Sequence, residues 1–292
     1  MTTLNPGRDM PVTLPARRSR RGGGGGLLLH VALVVGLLLL VGPFLYMLLG
    51  SFKTNAELRT IPPTWIPENA TLENYRNLFE RLNFPRFFFN SALIAAAVTA
   101  GNLVFCSMLG YALAKLEFRG KRPLFLLVLG TLMVPGIVTF MPLYVIVANM
   151  GLINTHLGLI LPFLAGAFGV FLMRQFISGL PNELLDAARV DGANEYYIFW
   201  RIIMPLCGPP LATLGILTFL GSWNSFLWPL VAALTEDMYT LPVAIALFST
   251  GQQVNDYGLQ LAVAVVVVLP VLIIFVVLQR FFTQGIAMTG IK

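Results

Sequence analysis

The sequence predicts an all-α polytopic membrane protein with six transmembrane helices. Of its 292 residues, 57% are hydrophobic and only 11% are charged, and the mean hydropathy is +0.80. Soluble domains carry about 25% charged residues. The chain also contains six apolar stretches that are long enough to cross a bilayer core of about 30 Å as helices. A soluble protein with a very large core does not account for apolar runs of this length.

The predicted spans follow one another from the N-terminal region to the end of the chain. A group of arginines precedes the first span, so this span must be distinguished from a secretory signal peptide. Its apolar run is too long for a signal core and no small-residue cleavage site follows it, which favours a retained anchor. We expect residues 1–26 to form a flexible cytoplasmic tail and residues 27–292 the transmembrane domain. The predicted spans are 27–50, 87–114, 124–148, 157–177, 206–234 and 259–282.

The distribution of lysine and arginine predicts the orientation of the chain. Six spans place both termini on one side, and that side carries 14 of the 19 Lys and Arg residues against 5 on the other. Because positively charged loops stay in the cytoplasm, both termini are predicted to be cytoplasmic in a multi-pass protein of the cell membrane (plasma or inner). The positive residues are scattered over loops, which argues against nucleic acid as a partner. The segment between the fourth and fifth spans is then cytoplasmic.

That segment, residues 181–209, is a polar island with four acidic residues and two arginines. Pro181 ends the preceding helix, and Asn182 is suited to cap the next one. Asp191 and Gly192 form a turn signal, because glycine adopts the left-handed conformation that ends a helix. The pattern predicts two short helices joined by a tight turn. On these grounds alone, a loop that docks with a partner and a loop without one are equally supported.

The motif in the island resembles a known loop. Residues 186–193 read Asp-Ala-Ala-x-x-Asp-Gly-Ala, and Phe199, Ile202 and Pro205 follow. This pattern is similar to the cytoplasmic EAA loop of binding-protein-dependent ABC importer permeases. One position departs from it, since Asp186 stands where the family has glutamate, which shortens the reach of the carboxylate by one methylene group.

The resemblance extends over residues 27–292. Segments 174–176, 221–229 and 279–286 look like the carbohydrate-uptake branch, in particular its smaller, six-span maltose-type permease subunit. It implies the type I ABC importer permease fold, with residues 181–205 as a coupling loop. It further implies a second permease subunit, a cytoplasmic ATPase dimer that uses ATP and Mg, an extracytoplasmic solute-binding protein and a carbohydrate substrate. The two permease subunits are then embedded in the lipid bilayer.

The resemblance also assigns roles within the coupling loop. Asp186 would pair with a basic residue of the ATPase, Gly192 would form the turn, and Phe199 with Ile202 would be the apolar anchor. Ala187 and Ala188 would leave clearance for the ATPase surface. The full set of docking residues implied in this way is Glu183, Asp186, Ala187, Ala188, Asp191, Gly192, Ala193, Phe199, Ile202 and Pro205.

The chain itself is expected to be a transport subunit rather than an enzyme. It has no G-x-x-x-x-G-K-[ST] phosphate loop, so ATP hydrolysis is assigned to a partner and no cofactor to this chain. Cys106 and Cys207 both lie in apolar runs, where packing is a better explanation than a disulfide or a metal site. The predicted function is translocation of a sugar or sugar-like solute across the cell membrane.

Two further sites are expected on weaker grounds. Trp223 and Asn224 in the fifth span suit a sugar ring, but contacts between helices explain them better. In the polar outer loop 235–258, the candidates for contact with the binding protein are Gly251, Gln252 and Gln253. A solvated connector explains that loop as well.

Three rival functions remain to be weighed. A secondary solute carrier, not coupled to an ATPase, needs ionisable residues within its spans, and acids are almost absent there. A membrane enzyme is disfavoured because His30 and His156 are the only histidines and neither H-E-x-x-H nor G-x-S-x-G occurs. An assembly subunit without transport activity stays open.

Overall fold

The computed structural model describes residues 23–81, 83–249 and 256–289, and every helix or strand assigned in these ranges is a helix. The chain consists of two compact units, which divide after Tyr46. In chain order the α-helices are α1 (Gly23–Gly50), α2 (Asn55–Leu58), α3 (Glu73–Arg81), α4 (Phe84–Lys115), α5 (Lys121–Met133), α6 (Gly136–Asn149), α7 (His156–Phe163), α8 (Ala167–Ser178), α9 (Glu183–Val190), α10 (Glu195–Leu206), α11 (Gly208–Trp223), α12 (Leu227–Ala232), α13 (Leu241–Ser249) and α14 (Tyr257–Thr289). A short 3-10 helix, Glu236–Met238, lies between α12 and α13.

Helix α1 corresponds to the first predicted span. It begins at Gly23, whereas residues up to 26 were expected to belong to the tail. Helix boundaries are the least certain part of such a prediction, because terminal turns are held by few hydrogen bonds. The remainder of the expected tail, residues 1–22, lies outside the described residues.

Three described helices are long and apolar enough to cross a membrane without a break: Leu28–Gly50, Phe84–Lys115 and Tyr257–Val277. The count reaches six if each of three bent helix pairs is taken as one span, in agreement with the predicted number. The pairs are α5 with α6, bent by 106°, α7 with α8, bent by 41°, and α10 with α11, bent by 82°.

Proline in these spans allows kinks, and the structure places sharp bends within 124–148 and 157–177 and at the start of 206–234. Pro135 separates α5 from α6, and Gly208 with Pro209 opens α11. Proline has no backbone N–H and its ring clashes with the preceding turn, so it interrupts or kinks a helix. The predicted fifth span is interrupted again after Trp223, and α12 forms a separate short helix.

Helices α4 and α8 pack with their backbones unusually close. A Cβ atom added at Gly110 would lie 2.8 Å from the Cβ of Met173 and 2.9 Å from the backbone N of Arg174. One added at Gly169 would lie 2.8 Å from the Sγ of Cys106. Small residues permit this close approach, which increases van der Waals contact between membrane helices.

Around this pair lies a buried cluster that we call the loop-side cluster. It consists of Cys106, Tyr111, Leu113, Val170, Met173, Ile177, Leu185, Ile198, Phe199, Ile203, Cys207 and Leu214. The cluster therefore unites α4, α8 and α11 with both helices of the polar island, α9 and α10. Its two cysteines are free, buried thiols.

Asn102 joins α4 to the break between α7 and α8. It lies at the start of a π-helical turn, Asn102–Cys106, within α4. Its Nδ2 donates to the carbonyl of Phe163 at 2.7 Å, and its Oδ1 accepts from the N–H of Gly166 at 3.0 Å. The side chain thus satisfies backbone groups that the broken helix leaves without helical partners, as a buried membrane segment requires.

Candidate functional site

The polar island forms the two predicted helices, and they meet in a Schellman turn. Gly192 has a φ of +83°, the left-handed conformation expected for it. The N–H of Ala193 donates to the carbonyl of Ala188 at 2.9 Å, and that of Gly192 donates to Arg189 at 3.0 Å. These two bonds satisfy carbonyls at the end of α9. Ala188 and Ala193 both pack on the loop-side cluster, so the turn is seated on the core.

The capping residue of the first helix differs from the expectation. Asn182 makes no side-chain cap on α9, because its Oδ1 instead accepts from the Nζ of Lys115 at 2.6 Å. The second helix does have an amide cap: the Oδ1 of Asn194 accepts from the N–H of Tyr197 at 2.8 Å. Helix α10 runs on through Pro205 to Leu206.

Ion pairs and hydrogen bonds connect the two helices to each other and to α4. Arg189 bonds Asp186 through Nη1 at 3.1 Å and Glu195 through Nε at 2.9 Å. The second carboxylate oxygen of Glu195 accepts from the hydroxyl of Tyr111. The hydrogen bond from Arg189 lowers the pKa of Glu195 below its usual value, and the same bond raises the pKa of Arg189.

The island has one face buried in the chain and one face open. Leu185, Ile198 and Ile203 are inward-facing and belong to the loop-side cluster. Phe199 is only 3% exposed and Ile202 packs against the same cluster. Phe199 is therefore inaccessible to a partner in this structure, contrary to the expectation, whereas Ile202 is half-buried and its anchoring role stays a prediction.

The exposed apolar side chains of the island are different ones. Leu184 and Leu206 are exposed near the outer ends of the two helices. Val190 is 87% exposed at the end of α9, and Tyr196, Tyr197 and Trp200 are exposed close together on α10. We call these four residues the exposed patch. Sequence reasoning grouped Tyr197 and Trp200 with Ile198 and Ile202 in one broad apolar face. The helical period separates them, because positions 196, 197 and 200 share one side, while 198, 199 and 202 face elsewhere.

The other expected docking residues are distributed over both faces. Ala188 and Ala193 are half-buried. Those that remain exposed are Glu183, Asp186, Ala187, Asp191, Gly192 and Pro205. Asp186 is accessible, but in this structure its partner is Arg189 of the same loop.

A second feature is a cavity of about 310 Å³, which lies away from the island. Helix α4 reaches the island with its C-terminal end and the cavity with its N-terminal half. The lining residues are all uncharged, and they include two aromatic rings, several hydroxyl groups and one amide: Phe163, Trp228, Ser91, Thr218, Ser222, Ser225, Thr240 and Asn102.

Four of these hydroxyl groups make no side-chain hydrogen bond with the described residues. They belong to Thr218, Ser222, Ser225 and Thr240. Hydroxyl groups on helices usually bond a carbonyl of the preceding turn. Thr213, on the same helix, does so, since it donates to Pro209 at 3.1 Å. Thr218 and Ser222, which lie on the same helix, differ from Thr213 in this respect.

Comparison with known proteins identifies the architecture that holds these two features. Residues 106–288 match the family described as "Binding-protein-dependent transport system inner membrane component". The chain belongs to this family. It is a membrane-spanning permease subunit of a binding-protein-dependent ABC importer, and the alternative of a secondary carrier has no support from these matches.

Three relatives cover most of the permease. It is 41% identical over 255 residues to the arabinooligosaccharides transport system permease protein AraQ of Halalkalibacterium halodurans, with 86% of this chain and 91% of the relative covered. It is 33% identical over 254 residues to the diacetylchitobiose uptake system permease protein NgcG of Streptomyces coelicolor, covering 86% and 84%. The sn-glycerol-3-phosphate transport system permease protein UgpE of Yersinia enterocolitica is 30% identical over 264 residues, covering 88% and 94%.

A solved structure supports the type I importer fold. One chain in the crystal structure of a bacterial ABC transporter involved in the import of the acidic polysaccharide alginate superposes on the permease with a TM-score of 0.80. The match covers 90% of this chain and 98% of that chain at 24% sequence identity. At this identity the likeness speaks for the fold alone.

Trp223 and Asn224, which were expected to contact the solute, are not among the residues that line the cavity. Trp223 is buried, and its indole N–H donates to the carbonyl of Val267 at 3.2 Å, which is the arrangement of a helix contact. Asn224 is exposed and its amide donates to Leu220 at 3.0 Å. Gly251, Gln252 and Gln253 lie outside the described residues.

Proposed function

We propose that this permease subunit imports a neutral carbohydrate and that a cytoplasmic ATPase dimer, docked on the loop at 181–205, drives it with ATP and Mg. A second permease subunit completes the pathway, and an extracytoplasmic binding protein delivers the solute. The observation that carries the proposal is the exposed patch, which is held on a two-helix scaffold rooted in the membrane helices. Secondary carriers have no need of such a scaffold.

The exposed patch has the chemistry of a docking surface. Aromatic side chains dominate the energetics of protein interfaces, because they bury large areas with little loss of rotamer entropy. Tyr196, Tyr197 and Trp200 offer three of them within five residues, and Val190 lies at the neighbouring helix end. Exposed aromatic residues in water are unfavourable, so a partner that covers them gains stability.

The proposed orientation of the permease in the membrane rests on its distribution of charges. The excess of Lys and Arg on the loop side supports a cytoplasmic position for the loop and for both termini. ATP is available on that side, and the permease sequence contains no phosphate loop of its own. The ATPase must therefore be a separate protein that reaches the loop from the cytoplasm.

The cavity supports a neutral saccharide as the solute. Free hydroxyl groups at Thr218, Ser222 and Ser225 can donate to and accept from sugar hydroxyls, and Trp228 and Phe163 offer aromatic faces. A phosphate would require a cationic group, because burial of an unpaired anion is costly. Since no charged residue lines the cavity, it suits the oligosaccharides named for two of the relatives better than glycerol phosphate.

Docking can be tested with one glycine substitution and a matched control. In Gly192→Val, a β-branched residue must adopt a φ of +83°, which costs at least about 1–2 kcal/mol. We expect the ATPase to be lost on co-purification and ATP-dependent uptake in vesicles to fall with it. Gly136→Val is the control, since nothing lies within 4 Å of a Cβ at Gly136.

A second substitution separates the docking surface from the turn. Trp200→Ala leaves the backbone of α10 intact and removes the largest side chain of the exposed patch, so we expect weaker ATPase binding by about 1–3 kcal/mol. Normal ATPase retention in both Gly192→Val and Trp200→Ala would contradict docking at this loop. Uptake that persists without the ATPase would instead favour a secondary carrier.

A further inference from the structure

The C-terminal end of α4 contacts both helices of the coupling loop through two side chains one helical turn apart. Lys115 donates to the carbonyl of Leu180 and to the Oδ1 of Asn182, each at 2.6 Å, just before α9 begins. Tyr111 donates to Glu195, the first residue of α10. One membrane helix therefore holds the start of each loop helix.

Arg189 connects the two loop helices to each other. It bonds Asp186 on α9 and Glu195 on α10, so the same carboxylate receives a cation from the loop and a hydroxyl from α4. The ring of Tyr111 also packs on that of Phe199, with centroids 5.7 Å apart. Polar and apolar contacts thus fix the loop helices against α4 at the same place.

We propose that Tyr111 and Lys115 are positioning residues that make the coupling loop and the inner end of α4 move as one rigid piece. This inference rests on the proposed docking of an ATPase. Apolar packing alone tolerates sliding, whereas directed hydrogen bonds at two points fix the angle between loop and helix. A displacement of the loop then displaces α4 as well, and the N-terminal half of α4 borders the cavity.

The rigidity is tested first on the permease assembled with its partner subunits in nanodiscs. Spin labels at Leu184→Cys and Phe105→Cys report the distance between loop and α4, because both positions are exposed and Leu184 lies outside the exposed patch, while the native Cys106 and Cys207 are buried. We expect one narrow distance in this background and a broad distribution in Tyr111→Phe, which removes only a hydroxyl. Tyr144→Phe is the control, because its hydroxyl makes no hydrogen bond with the described residues.

Lysine variants provide a second test in case Tyr111→Phe fails to fold. Lys115→Met should broaden the same distribution and Lys115→Arg should restore it. Lys121→Met, which breaks a pair with the exposed Glu117, should leave it narrow. Equal widths in the labelled background, Tyr111→Phe and Lys115→Met would overturn the inference.

Transmission is tested with labels at the exposed positions Leu93 on α4 and Leu272 on α14. With the ATPase bound, a non-hydrolysable ATP analogue should change this distance in the parent complex, and Tyr111→Phe should lose the change. If the analogue changes the distance in Tyr111→Phe as much as in the parent complex, Tyr111 is not a positioning residue. If the ATPase does not bind the parent complex, the proposed function is overturned instead. The widths of the loop-to-α4 distance distributions then still decide whether Tyr111 and Lys115 are positioning residues.

Discussion

The two ends of the helix bundle differ in how tightly their side chains pack. At the loop side, α4 and α8 approach each other at glycine, a dozen buried side chains form one cluster, and Tyr111, Lys115 and Arg189 tie the loop to it. At the other end a cavity remains, and four of the hydroxyl groups that line it make no hydrogen bond with the described residues. The comparison separates an end suited to transmit displacement from an end suited to hold a solute.

Asn102 lies where these two ends meet, and its removal should have the largest effect. In Asn102→Leu, the carbonyl of Phe163 and the N–H of Gly166 lose their partner. Each unsatisfied buried group costs about 1–3 kcal/mol, so we expect loss of about 2–5 kcal/mol of stability and little folded protein. Thermal unfolding in detergent measures this loss. Asn149→Leu, at an exposed position, should change the unfolding temperature little.

Gly110→Ala tests the close packing of the loop-side end. The added methyl group meets the backbone of Arg174 at 2.9 Å, which cannot rotate away, so we expect destabilisation of about 1–3 kcal/mol. Gly130→Ala meets nothing within 4 Å and should gain about 0.5–1 kcal/mol, because alanine favours the helix. If both variants unfold at the same temperature, the backbones at Gly110 are not in rigid contact.

The free hydroxyl groups test the solute-holding end. Thr218→Val and Ser222→Ala each remove one hydrogen-bonding group, worth about 0.5–1.5 kcal/mol, so the KM for the imported sugar should rise about 2- to 10-fold. ATPase retention should not change. Thr213→Val is the matched control on the same helix, since its hydroxyl is already bonded to Pro209. Equal KM values in all three variants would remove the cavity from the solute pathway.

The sequence predicted features whose cause is local. Apolar runs of span length, the positive charge on one side and the left-handed glycine at 192 are all properties of short segments, so six spans and a two-helix loop could be read from them. The family motif then indicated where the loop docks. None of these signals requires knowledge of what lies across the bundle.

Features that depend on tertiary contact were not predictable in the same way. Asn182 was expected to cap a helix, but its side-chain oxygen instead accepts a hydrogen bond from Lys115, which lies 67 residues earlier in the chain. Phe199 was assigned to a partner because apolar residues in a polar loop suggest an interface, yet Tyr111 and its neighbours cover it. The cavity joins residues from four separate segments, and no spacing along the chain indicates such a group.

The smallest predicted effect concerns the charge network at the loop. The pKa of Glu195 is lowered in the folded permease by the bond from Arg189, so its contribution to stability is present above its ordinary value of 4.5 and is lost as the pH falls through the folded value. We therefore expect the difference in unfolding temperature between the parent protein and Glu195→Gln to shrink as the pH is lowered from about 6 to about 4. The difference should also be small, because Glu195 and Arg189 are partly exposed and solvent screens the pair. Added salt should reduce it further. A difference that stays constant over this pH range would show that the carboxylate is not held by Arg189, and that apolar packing alone keeps the loop-side end rigid.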